Sequence, residues 1–181
     1  KELRRVLGVI RPTTEIIGQL TKTGSVGLFA TEGTVSSESY PIEVAQFFPN
    51  VQLFQQACPL WVPLIEANEH LEPGADYFVK KYTEALLSQS DDIDTVLLAC
   101  THYPLIEPKL RTFLPEKINV VSQGKIVADS LQDYLHRHPE IDELITKQGR
   151  RQFFTTESPR SFDRKARLFL DRQIQSRHLS M

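Results

Sequence analysis

The segment Cys100-Thr101-His102-Tyr103-Pro104 combines the most reactive side-chain types in the chain. A cysteine thiol has a pKa near about 8.5, so its thiolate is accessible near neutral pH when a cation or an N–H donor lies close. A histidine two positions further on can exchange protons with that thiol or with a bound substrate. The alternative is a buried cysteine beside a histidine that only packs, and the local sequence leaves both interpretations open.

The segment Thr31-Glu32-Gly33-Thr34 is a second candidate, for ligand binding. Its two hydroxyls and its glycine come at the predicted start of a helix, where free backbone N–H groups suit a carboxylate or a phosphate. The alternative is simple N-capping of that helix by Thr34 or Ser36.

A third segment begins at Cys58 and ends at Glu66. Apolar residues flank Cys58, and free cysteines are often buried, so we predict a structural role for it. Glu66 ends an apolar run. It is either an ordinary surface charge or a carboxylate that reaches into a cleft to orient a histidine, and spacing alone does not decide.

The elements that must position these residues alternate between strands and helices, which predicts an α/β fold with a mostly parallel sheet. Short apolar runs predict strands at Val6–Ile10, Ser25–Ala30, Val51–Gln55, Asp94–Ala99 and Asn119–Ser122. Amphipathic spacing predicts helices at Thr13–Thr23, Val35–Phe48, Ala75–Gln89 and Lys125–His136. A later part of the chain carries a possible strand at Arg151–Thr155 and a helix at Pro159–Leu170. All three reactive segments follow predicted strands, where ligands collect in parallel α/β sheets.

Composition excludes several classes of function. The chain of 181 residues has 21 Lys plus Arg against 23 Asp plus Glu, a net charge of −2, so nucleic acid is not an expected partner. No apolar stretch reaches the roughly 20 residues of a membrane span, and two cysteines in such a chain predict free thiols in the cytoplasm. The five histidines have no recognised metal-ligand spacing, so no metal is expected.

Several strings together resemble the glutamate racemases of the aspartate/glutamate racemase superfamily. The most specific is Val-Leu-Leu-Ala-Cys-Thr-His-Tyr-Pro-Leu, residues 96–105, which resembles the family's C-terminal catalytic motif. Other matches, in the family's order, are Val6–Pro12, Gly27–Thr34 with Val35, Ser37 and Tyr40, Gln56–Glu66, and Phe153–Thr156. The resemblance covers nearly the whole chain.

The resemblance implies a cofactor-independent enzyme that interconverts L- and D-glutamate and supplies D-glutamate for peptidoglycan. The family sets two cysteines on opposite faces of the substrate Cα, between two similar α/β domains, and Cys100 corresponds to one of them. His102 would assist Cys100, and Glu66 would orient His102. The hydroxyls expected to bind the substrate are those of Thr31, Thr34 and Thr101.

The resemblance also implies an incomplete active site. The family's first domain carries an Ala-Cys-Asn-Thr string with the other cysteine and an Asp-Ser-Gly loop, and neither string occurs here. Residue 1 is Lys rather than Met, so we expect a piece of a longer protein. Residues 1–121 would form a three-layer α/β domain with a parallel sheet, and residues 122–181 an α/β tail that completes the missing N-terminal domain. This chain alone is then expected not to racemise glutamate.

Two alternatives remain open at the level of sequence. One is another isomerase of the superfamily, an aspartate or hydantoin racemase or an enzyme like maleate isomerase, although the histidine of Cys-Thr-His-Tyr-Pro favours glutamate. The other is a non-catalytic binding module whose apolar face is exposed and promotes self-association. The sequence is also compatible with a homodimer.

Overall fold

The computed structural model describes residues 5–180. The chain forms two compact units, of which the first ends at Tyr134 and the second begins at Leu135. The boundary predicted after residue 121 is a different one, because it divides the chain between the two domains of the family. That assignment stays a prediction. No helix in the described part of the chain is both long enough and apolar enough to cross a membrane.

A four-stranded parallel sheet is the centre of the first unit. Its strands are β1 (Ser25–Ala30), β2 (Gln52–Ala57), β3 (Thr95–Leu98) and β4 (Asn119–Ser122), in the spatial order β2-β1-β3-β4. The register pairs Ala30 with Ala57, Phe29 with Leu98, and Leu98 with Ser122. The carboxyl ends of all four strands therefore lie at one edge, which confirms the predicted parallel α/β sheet.

Helices connect and follow these strands. They are α1 (Arg11–Thr14), α2 (Ile17–Leu20), α3 (Glu32–Ser36), α4 (Ser39–Phe47), α5 (Trp61–Glu66), α6 (Asp76–Leu87), α7 (Glu107–Leu110) and α8 (Gln123–Arg137). Short 3-10 turns occur at Pro73–Ala75 and Tyr103–Leu105.

Apolar side chains cover both faces of the sheet, as the uninterrupted apolar strands predict. Val26 and Leu28 of β1 belong to a buried cluster that also contains Ile17 of α2. Phe29 belongs to a second cluster, with Leu86 of α6 and other residues of α5 and α7. Because alternate residues of a strand point to opposite faces, the two clusters are layers on either side of the sheet.

The second unit contains two helices and a pair of strands in its described residues. These are α9 (Pro139–Asp142), β5 (Phe153–Thr155), α10 (Pro159–Leu170) and β6 (Ser176–His178). β5 and β6 pair in parallel, with Phe153 opposite Ser176. The sequence predicts α10 with the observed bounds and the strand at β5.

Three sequence predictions of local structure are wrong. Residues 5–10 form no strand: Val6 is 99% exposed and Leu7 and Val9 are also exposed, while only Ile10 packs against the core. The predicted helix Thr13–Thr23 consists of two short helices, because its β-branched residues disfavour a continuous helix. The predicted helix Val35–Phe48 breaks at Glu38, which has a φ of 53°.

Serine side chains explain this break between α3 and α4. Ser37 Oγ donates to the carbonyl of Thr34 at 2.8 Å, and it also accepts from the N–H of Ser39 at 3.4 Å. Such local bonds offer the backbone an alternative to the next helical turn.

Candidate active site

Cys100 lies on the loop that directly follows β3. The preceding residue, Ala99, still donates its N–H to the carbonyl of Phe29 at 2.9 Å, so the loop leaves the sheet at Cys100. The Tyr103 N–H donates to the Cys100 carbonyl at 3.1 Å and starts the 3-10 turn. The sulfur is thus held at the carboxyl edge of the sheet in a half-buried position.

Opposing effects act on the Cys100 thiol. Burial raises its pKa, while hydrogen bonds from the backbone N–H groups of His102 and Tyr103 lower it. The net pKa is above the ordinary value of a cysteine. Cys100 is therefore a protonated thiol at neutral pH, and it needs a proton acceptor to become a base.

His102 is placed to be that acceptor. Its Nδ1 lies 4.0 Å from the Cys100 sulfur, and its Nε2 lies 3.3 Å from Glu66 Oε1. A carboxylate only accepts hydrogen bonds, so Glu66 favours the proton on Nε2. Nδ1 then carries the lone pair toward Cys100, which lets it take the thiol proton.

Packing of α5 fixes Glu66 on this side of the sheet. Glu66 is the last residue of α5, and the helix buries Trp61 and Ile65. The Trp61 ring lies 4.9 Å from the Tyr103 ring, centroid to centroid, and 4.8 Å from that of Phe29. Rigid aromatic contacts thus connect the helix that carries Glu66 with the loop that carries His102.

The predicted substrate-binding hydroxyls lie at two strand ends. Thr31 follows β1, and its Oγ1 lies 3.0 Å from Thr34 Oγ1. Thr31 Oγ1 also accepts the Thr34 N–H at 3.4 Å, so Thr31 caps α3, in place of Thr34 or Ser36. Thr101 is exposed beside Cys100. The register sets Thr31 next to Cys100, since each comes two residues after a member of the Phe29–Leu98 pair.

Cys58 is fully buried, as predicted for a structural cysteine. Its sulfur donates to the carbonyl of Gln56 at 3.6 Å, and its own carbonyl accepts the hydroxyl of Tyr103 at 3.2 Å. Burial, and secondarily the charge of Cys100, raises the pKa of this thiol. Cys58 thus supports the loop around Cys100 and is not placed to react.

Sequence reasoning missed a polar network at the end of β4. Gln123 Nε2 donates to the Tyr40 hydroxyl at 2.6 Å and to Thr13 Oγ1 at 3.3 Å. The sequence predictions include Tyr40 only as a residue of the predicted helix Val35–Phe48 and of the family resemblance, and Thr13 only as the start of a predicted helix. The position of Gln123 directly after a strand was the signal that could have drawn attention to it.

Residues 5–180 contain no group of three or more His, Cys, Asp or Glu side chains arranged to hold a metal ion. At the edge of the sheet, the contacts from the Cys100 thiol to the His102 imidazole and on to the Glu66 carboxylate suit proton transfer.

Glutamate racemases are similar to this chain in sequence and in fold. The chain is 32% identical over 177 residues to the glutamate racemase of Levilactobacillus brevis, a match that covers 97% of this chain and 63% of that protein. A glutamate racemase isoform from Bacillus anthracis superimposes with a TM-score of 0.85 at 28% identity, over 97% of this chain and 65% of that one. The chain belongs to the aspartate/glutamate racemase superfamily. No family model matches it.

Membership of this superfamily confirms the resemblance drawn from the Cys-Thr-His-Tyr-Pro segment. A glutamate racemase from Francisella tularensis, solved in complex with D-glutamate, also shares the fold, with a TM-score of 0.77 at 25% identity. That match covers 96% of this chain and 62% of the Francisella protein. The chain thus spans less than two thirds of the length of these relatives.

Proposed function

We propose that this chain forms one half of a glutamate racemase active site and supplies Cys100 as the acid/base group for one face of the substrate. The proposal rests on two successive side-chain contacts at the carboxyl edge of the sheet, from Cys100 to His102 and from His102 to Glu66. The D-glutamate bound by the Francisella relative supports glutamate as the substrate.

The proposed reaction transfers one proton at a time. His102 Nδ1 first accepts the thiol proton, which leaves the Cys100 thiolate. The thiolate then takes the proton from Cα of glutamate, so that the C–H bond breaks and an S–H bond forms. The electron pair remains on Cα and is delocalised into the α-carboxylate. Burial of the thiolate raises its basicity, because it is poorly solvated in a closed site.

Racemisation also requires a proton donor on the opposite face of Cα, and we propose that it comes from a further domain. Cys58, the other cysteine of the chain, is fully buried and bonded to a backbone carbonyl. It is therefore unsuited to the role. The proposed partner is the N-terminal racemase domain that the sequence resemblance implies.

Threonine hydroxyls would bind the substrate beside Cys100. The Thr31 and Thr34 hydroxyls are hydrogen-bonded to each other at 3.0 Å, which leaves one hydroxyl proton of the pair for a carboxylate. Thr101 is exposed on the same loop as the thiol. The D-glutamate formed by the complete enzyme would serve peptidoglycan synthesis.

Proton NMR in D₂O tests the proposal with each enantiomer of glutamate. We expect slow exchange of the Cα proton for deuterium in one enantiomer only, without formation of the other, and loss of this exchange in Cys100→Ser. A Cys58→Ser variant is the matched control, and it should retain the exchange if it folds. A second measurement is the protection of Cys100 from iodoacetamide by glutamate, with succinate as the comparison compound.

Two results would contradict the proposal. Absence of both exchange and protection in the folded chain would show that Cys100 does not face bound glutamate. Conversion of L- to D-glutamate that disappears in Cys100→Ser would show that the second acid/base group lies within this chain.

A further inference from the structure

An open groove with a volume of about 630 Å³ lies along α10 in the second unit. One wall is the helix, and the other is the segment that returns from the end of the helix to β6. The side chains that line the groove are those of Asp163, Arg164, Arg167, Gln173, Ile174 and Gln175. Binding sites for small molecules have volumes of roughly 300–1,000 Å³, so the groove is large enough to hold one.

Two backbone contacts shape the returning segment. Asp171 has a φ of 47° and donates its N–H to the carbonyl of Arg167 at 3.1 Å, which turns the chain at the end of α10. The Ser176 N–H then donates to Asp163 Oδ1 at 3.0 Å, at the point where β6 begins. The groove therefore lies between two segments that are joined to each other at both ends.

Positive charge is concentrated on one wall of the groove. Arg164 and Arg167 are three positions apart, so their side chains leave the same face of α10, where like charges repel each other. Neither guanidinium is paired with a carboxylate within residues 5–180. Asp163 also lines the groove, but one of its carboxylate oxygens already accepts the Ser176 N–H. The two arginines are therefore available to a ligand.

The helix itself accounts for only one of these arginines. Arg167 lies in the last turn of α10, where a cation suits the helix dipole. This effect falls off within one turn, so it does not account for Arg164. Both side chains are exposed, and the N–H groups of a guanidinium form a fork that fits two oxygens of a phosphate. An anion bound to both groups would offset their repulsion.

We propose that this groove binds a phosphate monoester, with the phosphate on Arg164 and Arg167 and the organic group along residues 173–175. A phosphate monoester carries close to two negative charges at neutral pH, which matches the two guanidinium groups. Free phosphate would leave most of the groove unfilled, since residues 173–175 offer two amide groups and one apolar side chain. The net charge of −2 on the chain disfavours a nucleic acid as the source of the phosphate. The proposal concerns the second unit alone and does not rest on the proposed function.

Glycerol 3-phosphate is the probe for the test, added to the 181-residue chain at constant ionic strength. Binding is followed by two-dimensional proton–nitrogen NMR of the backbone amides. We expect saturable shifts at residues 163–167 and 173–175, with a dissociation constant of about 1 mM. Inorganic phosphate should bind several-fold more weakly because it lacks the organic group, and so should the dicarboxylate succinate.

Substitutions at Arg164 separate a specific site from general attraction of anions. Arg164→Gln should weaken binding by about tenfold, the size of one lost hydrogen bond to a charged group. Arg164→Lys should weaken it less, because the charge remains while the fork of N–H groups is lost. Arg172→Gln is the matched control, since it removes an exposed arginine that does not line the groove. It should leave the affinity unchanged, and the same spectra report whether each variant is folded.

Several results would overturn the proposal. They include shifts that grow linearly with concentration, shifts that sodium chloride reproduces at equal ionic strength, and equal losses of affinity in Arg164→Gln and Arg172→Gln. Tighter binding of succinate would show a carboxylate site instead, and equal affinity for inorganic phosphate would show that the organic group is not recognised. If Arg164→Gln does not fold, Arg164→Lys and Arg167→Gln decide the matter, and unchanged affinity in both would refute the site.

Discussion

Glu66 Oε1 lies 3.3 Å from His102 Nε2, although the two residues are 36 positions apart in the sequence. The contact decides which imidazole nitrogen is turned toward Cys100. A carboxylate on Nε2 leaves Nδ1 as the proton acceptor, and a thiol whose pKa is raised by burial depends on such an acceptor.

Glu66→Gln should slow the alkylation of Cys100 at pH 7.5. An amide can present either its oxygen or its nitrogen to Nε2, so the tautomer that serves Cys100 is less favoured. We expect a decrease of about tenfold, which corresponds to the loss of one charge-assisted hydrogen bond. Rates are measured with iodoacetamide, and Glu69→Gln, an exposed neighbour, is the control. An unchanged rate would show that Glu66 does not act on His102.

Asp94→Asn should destabilise the first unit by about 1–3 kcal/mol. Burial alone would raise the pKa of Asp94, but bonds from Thr21 Oγ1 and from the N–H groups of Lys22 and Thr23 hold it below its ordinary value. The stabilisation is therefore present above a pH of about 4 and is lost as the pH falls through the lowered pKa.

Urea unfolding followed by Trp61 fluorescence between pH 3 and 7 measures the effect of Asp94. The variant should be less stable at pH 7 and should approach the parent chain at acidic pH. Asp91→Asn, at an exposed position in the same loop, should behave as the parent does. Equal losses in the two variants would refute the role given to Asp94.

His70 should make the first unit sensitive to mild acid. It is 6% exposed, and its Nδ1 has no hydrogen-bond partner within residues 5–180. Burial, and secondarily the charge of Lys109, lowers its pKa in the folded state. Below a pH of about 6.5 the unfolded chain binds more protons at this position, so the free energy of unfolding decreases as the pH falls.

His70→Leu isolates this dependence. The slope of stability against pH between 5 and 6.5 should become flatter than in the parent chain, measured again by urea unfolding. His136→Gln removes an exposed histidine of α8 and should leave the slope as it is. A steeper or unchanged slope in His70→Leu would contradict the assignment.

Gly18→Ala should destabilise the first unit by about 1–3 kcal/mol through overpacking. A Cβ at position 18 would lie 2.2 Å from Cδ1 of the Phe48 ring, so either this ring or α2 itself would have to move. Gly74→Ala is the matched control, because nothing lies within 4 Å of a Cβ there. The midpoint temperatures of thermal unfolding of the two variants are compared. Equal midpoints would show that the Phe48 ring moves aside without a loss of stability.

Local sequence patterns predicted the central elements well, for physical reasons. β1 and α10 have the predicted bounds, since an uninterrupted apolar run and a proline-initiated amphipathic segment each have one favourable structure. The run at Val6–Ile10 is also apolar, but Val6, Leu7 and Val9 are exposed, and pattern alone does not say whether a partner layer exists.

The candidate site could be predicted only in part, because some of its contacts join residues that are far apart in the sequence. The sequence indicated Cys100 and His102 as neighbours on one loop, while the family resemblance was needed to bring in Glu66. The bond from Gln123 to Tyr40 joins residues 83 positions apart, and neither local periodicity nor residue type marks such a pair.

The strand order has a consequence for local opening of the fold. β1 and β3 are the two inner strands of the sheet, and they carry Thr31 and Cys100, whereas Cys58 and Gln123 follow the two outer strands. Inner strands are bonded on both sides, so their amide protons exchange with solvent most slowly. The proposed acid/base group is thus anchored to the part of the sheet that opens last, whereas Cys58, which supports the loop around it, follows a strand that opens sooner.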